Sequence, residues 1–208
     1  MKHMLRPAPI AAALALGLAL TPATEVQAQD WFVRAGVTIV DPKDDTGRLA
    51  GGALDSSVGT NTQLGLTFGY HFTPNIALEL LASSPFTHSV RLNGVKAADV
   101  DQLPPTLTLQ YYFRPESRFN PFLGIGLNYT WFYEEDPEGP LAGADVAVDN
   151  SWGASFQGGV VYKVTDNIEV IGDIRWTDIG SDVWVNGSNV GKVNVDPLIY
   201  SVMIGYRF

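Results

Sequence analysis

His88 and Ser89 stand side by side, with Asp99 and Asp101 a short way further along the chain. A hydroxyl, an imidazole and a carboxylate are the ingredients of nucleophilic catalysis. Such a triad is defined by its geometry in space, so adjacency within one segment carries little weight. The other histidines, His3 and His71, lie far from His88 in the chain, and there is no cysteine. No metal site and no cofactor are expected. A second set of chemically capable residues is more informative. Arg34, Glu79, Lys163, Glu169, Asp173 and Arg207 each interrupt a stretch that is otherwise alternately apolar. Three are cations and three are anions. Brought together away from water, they would pair with one another and fill the space they occupy.

The stretches that carry these charges have a period of two, which is the pattern of strands with two unlike faces. The last of them, Leu198 to Phe208, has Leu198, Tyr200, Val202, Ile204, Tyr206 and Phe208 on one face. Seven others precede it, running from Trp31, Gln63, Ile76, Thr106, Leu123, Ser151 and Ile168. The connections between them alternate in length. Residues 73–75, 114–120 and 165–167 form short turns, whereas 41–60, 84–103, 134–150 and 178–196 form long loops. An even number of strands with short turns on one side and long loops on the other is the signature of an outer-membrane barrel. A soluble eight-stranded barrel would put its apolar face inward around a ligand. Here the second face is too rich in Gly, Ser, Thr and Gln to make a good charged exterior.

Aromatics gather at both ends of the apolar face. Tyr70, Phe72, Tyr111, Phe113, Tyr162, Tyr206 and Phe208 fall at the turn end, and Trp131, Tyr133, Trp152, Trp176 and Tyr200 at the loop end. Two aromatic girdles around an aliphatic band belong to a lipid-facing wall. Before the first strand, Lys2 and Arg6 precede the apolar run Ile10 to Leu20, which is too short to span a bilayer. Val26-Gln27-Ala28 follows as a cleavage site, so residues 1–28 read as a secretory signal peptide and 29–208 as the barrel. Backbone groups in lipid have no water to bond, so strands cross a membrane only as a closed barrel. The fold class expected is all-β, an eight-stranded antiparallel up-and-down transmembrane barrel.

The chain is acidic, with 13 Lys and Arg against 22 Asp and Glu. The third long loop is the acidic centre, with Glu134, Glu135, Asp136, Glu138, Asp145 and Asp149. This is the pattern of a solvated outer surface. Nothing resembles a basic patch, so nucleic acid is not an expected partner. On the alternation above, the six interrupting charges point inward in the half of the barrel nearest the short turns. They should plug the lower lumen, since an eight-stranded barrel is only wide enough inside for side chains or one small ligand. The upper interior carries few charges. Leu81, Phe86, Leu103, Phe132 and Ile199 are the candidate lining of an apolar pocket that opens outward. Pro85, Pro104 and Pro105 stand at the outer ends of the third and fourth strands, where proline cannot donate a ladder hydrogen bond. They mark a candidate lateral opening. Asn93-Gly94 and Asn186-Gly187 are hairpin-turn dipeptides within long loops two and four.

Several stretches resemble the outer membrane protein W (OmpW) family, in order and across all eight strands. They are WFVRAGVTIVDP from Trp31, LGLTFGYHFTPNIALELLASSPFTH from Leu64, LPPTLTLQYYF from Leu103 and NPFLGIGLNYTWF from Asn120. DNSWGASFQGGVVYKVTDNI from Asp149, VDP at Val195 to Pro197 and the final GYRF complete the match. The resemblance implies a monomeric barrel in the outer membrane of a Gram-negative bacterium. It implies a narrow apolar channel, closed toward the periplasm, that releases small hydrophobic molecules sideways into the bilayer. The terminal aromatics Tyr206 and Phe208 look like the signal read by the barrel assembly machinery, and outer-membrane lipid and lipopolysaccharide are the expected surroundings. A structural or adhesive barrel without transport is the alternative, and a lipid-modifying enzyme a more remote one.

Overall fold

The computed structural model describes residues 31–83 and 86–208; the signal-peptide expectation and Pro85 lie outside these. Fifteen strands are described. In chain order they are β1 (Trp31–Asp41), β2 (Gly47–Leu49), β3 (Leu54–Val58), β4 (Asn61–Thr73), β5 (Ile76–Ser83), β6 (Phe86–Leu92), β7 (Val95–Leu103) and β8 (Thr106–Tyr112). The rest are β9 (Phe119–Pro137), β10 (Val146–Val148), β11 (Ser151–Lys163), β12 (Ile168–Thr177), β13 (Gly180–Val185), β14 (Ser188–Asn194) and β15 (Leu198–Arg207).

Eight of them close an antiparallel barrel in the order β11-β12-β15-β1-β4-β5-β8-β9, with β9 pairing back to β11. The first and last staves pair from Phe32↔Arg207 to Asp41↔Leu198. Backbone bonds between Trp31 and Phe208 bring the two ends of the barrel together on the short-turn side. Alternation along each stave sorts the side chains as the sequence pattern requires. Val202 and Ile204 on β15 are each 65% exposed, while Met203 between them is 3% exposed. Leu64, Leu123, Ile125, Phe156 and Ile174 are exposed in the same way around the wall. So continuous an apolar exterior is stable only against hydrocarbon.

The rings on that exterior stack on one another at both edges. Trp31 lies against Phe68 and Tyr70, and Tyr111 against Phe113, at the turn edge. Tyr129 meets Trp152, Trp131 meets Tyr133 and Phe156 meets Trp176 toward the loops.

The long loops are mostly strands too. On the free edge of β9 the sheet continues upward as β7, β6, β3 and β2, and β10, β13 and β14 form a separate three-stranded sheet. The β6–β7 and β13–β14 hairpins turn at Asn93-Gly94 and Asn186-Gly187. All four turn residues have positive φ, between 49° and 80°, as a two-residue hairpin turn requires. The fifth stave is longer than its apolar alternation suggests, running through the acidic Glu134, Glu135 and Asp136 to pair with β7. These loop strands bury a cluster of their own: Leu49, Leu92, Ala97, Ile179, Val183, Val193 and Val195.

Candidate functional site

The barrel interior is built in levels. Nearest the short turns is an apolar floor of Phe32, Ala77, Tyr112, Phe122, Val161 and Ile171, all almost fully buried. Tyr112 stacks on Phe122 with ring centroids 5.1 Å apart, and His71 packs against Phe32 and Tyr112. Gly69 makes the room, since a Cβ there would lie 2.1 Å from the Phe32 ring.

Against this floor lies an ion cluster centred on Arg34. Its guanidinium donates to Glu79 Oε2 at 2.8 Å, to Glu169 Oε1 at 2.8 Å and to the Tyr112 hydroxyl at 3.0 Å. It also lies 4.0 Å from the centre of the Phe32 ring. Arg175 donates to the other Glu79 oxygen at 2.9 Å. Tyr112 donates to Gln110, Gln110 to Gln157, and Gln157 to Asp173 Oδ1 at 3.0 Å. Arg34, Glu79, Glu169 and Arg175 are each 1–2% exposed. Charges so far from water persist only when partners satisfy them, and here each cation has a carboxylate in contact. The cluster crosses the lumen from β1 to β5 and β12.

Of the six charges singled out from the sequence, the structure brings Arg34, Glu79, Glu169 and Asp173 into this network. Lys163 sits lower, with its ammonium on the carbonyl of Pro115 in a short turn. Arg207 is the half-buried last residue of β15, beside Phe32 in the ladder. Two contributors were missed. Arg175 alternates correctly on its strand, but its position toward the loop end hid its reach to Glu79. The aromatic floor was missed because Phe32 and Phe122 looked like any other strand residues; their even spacing from Arg34 and Gly124 was the available signal.

Above the cluster the lumen narrows to a neck lined by Thr38, Val40, Leu81, Thr106, Asn128 and Ile199 among others, with a free volume of only about 20 Å³. That is room for about one water molecule. Above the neck the loop strands enclose an apolar chamber of 260 Å³. Its wall is dominated by valines, including Val58, Val90, Val100, Val183, Val190 and Val193, with Phe132 and Leu92. Of the candidate pocket residues, Leu81 and Ile199 line the neck and Phe132 the chamber. Leu103 pairs with Trp131 and lines neither space, and Phe86 is placed by its backbone alone, opposite Gln102. Gln102 lines both spaces, at their junction. Most of the chamber was not legible as a pocket. Its signal was the period-two run of small apolar residues inside the loops: Val90 and Leu92, Ala98 and Val100, Val183 and Val185, Val193 and Val195.

Beside this junction the described ladder pairs pass from β5–β8 to β6–β7. β5 and β8 pair as far as Leu81↔Thr106, and β6 and β7 resume at Phe86↔Gln102. Pro104 and Pro105 lie between, on the β7–β8 side. On the other side, β4 pairs with β5 up to Gly65↔Ser83, and β3 meets β6 from Val58↔Val90. The span between is tied by Asn61 Nδ2 donating to the Thr87 carbonyl at 2.8 Å, and by His88 Nδ1 at 2.9 Å from the Gly59 carbonyl.

Among the described residues the candidate catalytic side chains have separate partners. Ser89 donates to Asp99 at 2.8 Å, whereas His88 faces the chamber wall and contacts Gly59. Thr87, not a base, holds Asp101. Among the described residues no group of three or more His, Asp or Glu is placed to hold a metal ion.

A closed eight-stranded barrel with a lipid-facing exterior, aromatic edges and a plugged lumen defines an outer-membrane β-barrel protein of a Gram-negative bacterium. The OmpW family model matches residues 27–208, and the chain belongs to that family. Outer membrane protein W of Vibrio cholerae is 33% identical, over 94% of this chain and 96% of its own. Outer membrane protein W of Escherichia coli is 39% identical, over 88% of this chain and 90% of its own. The crystal structure of the outer membrane protein OprG from Pseudomonas aeruginosa aligns with a TM-score of 0.78 at 34% identity, covering 87% of this chain and 96% of that one.

Proposed function

We propose that the protein is a passive channel for small hydrophobic molecules, which takes them from outside the cell and releases them sideways into the bilayer. The observation that carries this reading is the apolar chamber seated directly above a charged, filled lumen. A hydrophobic solute gains about 25 cal/mol for each Å² of apolar surface it buries. The chamber offers that gain at the outer surface, past the polar headgroup layer. The ion cluster would then deny the straight route, because an apolar solute would have to displace buried, paired charges. The remaining downhill route is through the wall. Pro104 and Pro105, with Pro85 outside the described residues, mark it at the outer ends of β5 and β8. The neck has to widen for passage, so transport is gated by local opening there.

The rest of the setting belongs to the same proposal. Residues 1–28 act as a cleaved signal peptide, Tyr206 and Phe208 present the C-terminal signal to the barrel assembly machinery, and a single barrel is the working unit. Outer-membrane lipid and lipopolysaccharide surround it, and no catalytic step or cofactor is involved.

The exit is tested by a disulfide across the uppermost β5–β8 pair among the described residues, Leu81→Cys with Thr106→Cys. The two positions are direct antiparallel neighbours and within bridging distance. The parent has no cysteine, so no other bridge competes. Oxidation is expected to stop uptake of a hydrophobic probe into the cell, and reduction to restore it. Full uptake with the bridge formed would place the exit elsewhere.

A further inference from the structure

The chamber is apolar but not uniformly so. Ser181, on β13 of the three-stranded sheet and in the chamber wall, is 5% exposed, and its hydroxyl has no hydrogen-bond partner among the described residues. Its strand neighbours on the same face, Val183 and Val185, also line the chamber. Gln102 is 4% exposed and stands where chamber meets neck. Its amide makes no side-chain hydrogen bond to another described residue, although Gln110, Gln157 and Asn128 lower in the lumen are all bonded. A wall meant only for hydrocarbon would carry Ala and Leu at these two positions at no loss. A buried polar group without a partner, as at Ser181, is a standing cost to the fold and calls for an explanation.

From these two groups we infer that the preferred solute is a small hydrocarbon body bearing one hydrogen-bonding oxygen, an alcohol or a ketone, with Gln102 and Ser181 as its specificity-determining contacts. This rests on the reading of the chamber as the capture site. The chamber's 260 Å³ compares with about 150 Å³ for a cavity that takes benzene. One or two rings, or a chain of similar volume, fit. The valines bury the hydrocarbon. A serine hydroxyl turns about one torsion and both donates and accepts, and the Gln102 amide offers a donor and an acceptor at the floor. An alcohol or ketone satisfies either, whereas a pure hydrocarbon leaves both unmet. The same site disfavours ions, because no charged side chain lines it. His88, the titratable group in the wall, is held below its ordinary value by burial, although its bond to the Gly59 carbonyl acts the other way.

The test compares indane with 2-indanol, which share one carbon skeleton, on the full barrel in lipid nanodiscs. The methyl signals of Val90, Val183 and Val193 report occupancy, and empty nanodiscs give each probe's lipid partitioning. Both probes are expected to move these methyls. At equal free concentration 2-indanol should bind about three- to tenfold more tightly, the range one buried hydrogen bond supplies. Ser181→Ala and Gln102→Met should each weaken 2-indanol binding more than indane binding, so that the preference shrinks toward equality. Ser181→Ala removes an unpartnered hydroxyl and keeps the fold, so the test does not hang on the more intrusive variant. Equal binding of the two probes, or a preference that survives both substitutions, would overturn the inference and leave the capture chamber standing. Valine signals indifferent to both probes would overturn the capture chamber, and the inference with it.

Discussion

Glu79 is the hinge of the ion cluster, because it joins two arginines that otherwise have no common partner. Its oxygens accept from Arg34 and Arg175 at 2.8 and 2.9 Å. Glu79→Ala leaves both guanidiniums short of charge in a site closed to water, and is expected to cost about 3–5 kcal/mol. Glu79→Gln keeps the shape and should cost less. Urea titration in lipid vesicles measures both, and equal, small effects would contradict the cluster's role. His88 makes a separate prediction outside the membrane span. Burial holds its imidazole neutral, so the folded form takes up a proton less readily than the unfolded chain does. The stability this contributes is therefore present above the ordinary histidine value of 6.5 and is lost as pH falls below it. Proteolysis of the loop strands should accelerate on acidification through that point, and His88→Gln should remove the step. The four charges that join the ion network were legible from sequence because each sat at an even spacing within an apolar alternation. Lys163 satisfied the same rule yet found a turn carbonyl, since alternation gives a side chain's direction and not its depth.

At the scale of the strand, the facing of β15 is the sharpest expectation. Ile204 is lipid-exposed and Met203 beside it is buried in the lumen. Ile204→Arg at the middle of the span should cost roughly 2–4 kcal/mol, and Met203→Gln less. Equal costs in a vesicle unfolding experiment would mean that the two faces had been exchanged. All eight staves were legible in this way, because lipid outside and packed side chains inside impose a strict period of two. The loop strands were harder to read. They bury one face against each other rather than against lipid, so Val183 or Val193 in a polar loop gives a short, weak alternation. Only the Asn-Gly turns announced them, at two of the four loops. The extension of β9 through Glu134, Glu135 and Asp136 was hidden by its charge, which is tolerated where the stave stands clear of the membrane.

At the scale of the whole molecule, an apolar chamber, a tight neck and a charged floor stand in series above a sealed base. In the proposed function each level would block a different traffic. If the charged cluster and aromatic floor stop ions and polar solutes, as proposed, a planar bilayer carrying the protein will show no large steady conductance. On the proposed reading the chamber would take up apolar surface and the lipid-facing wall would receive it. The measurement that bears most directly on this account is uptake of a hydrophobic probe by cells carrying Val183→Glu. This substitution places a carboxylate in the chamber wall, far from the plug and outside the membrane span. Uptake should fall to the level of cells lacking the protein, while the barrel still shifts its gel mobility on heating as a folded barrel does. Undiminished uptake through a folded Val183→Glu barrel would show that the solute never enters the chamber.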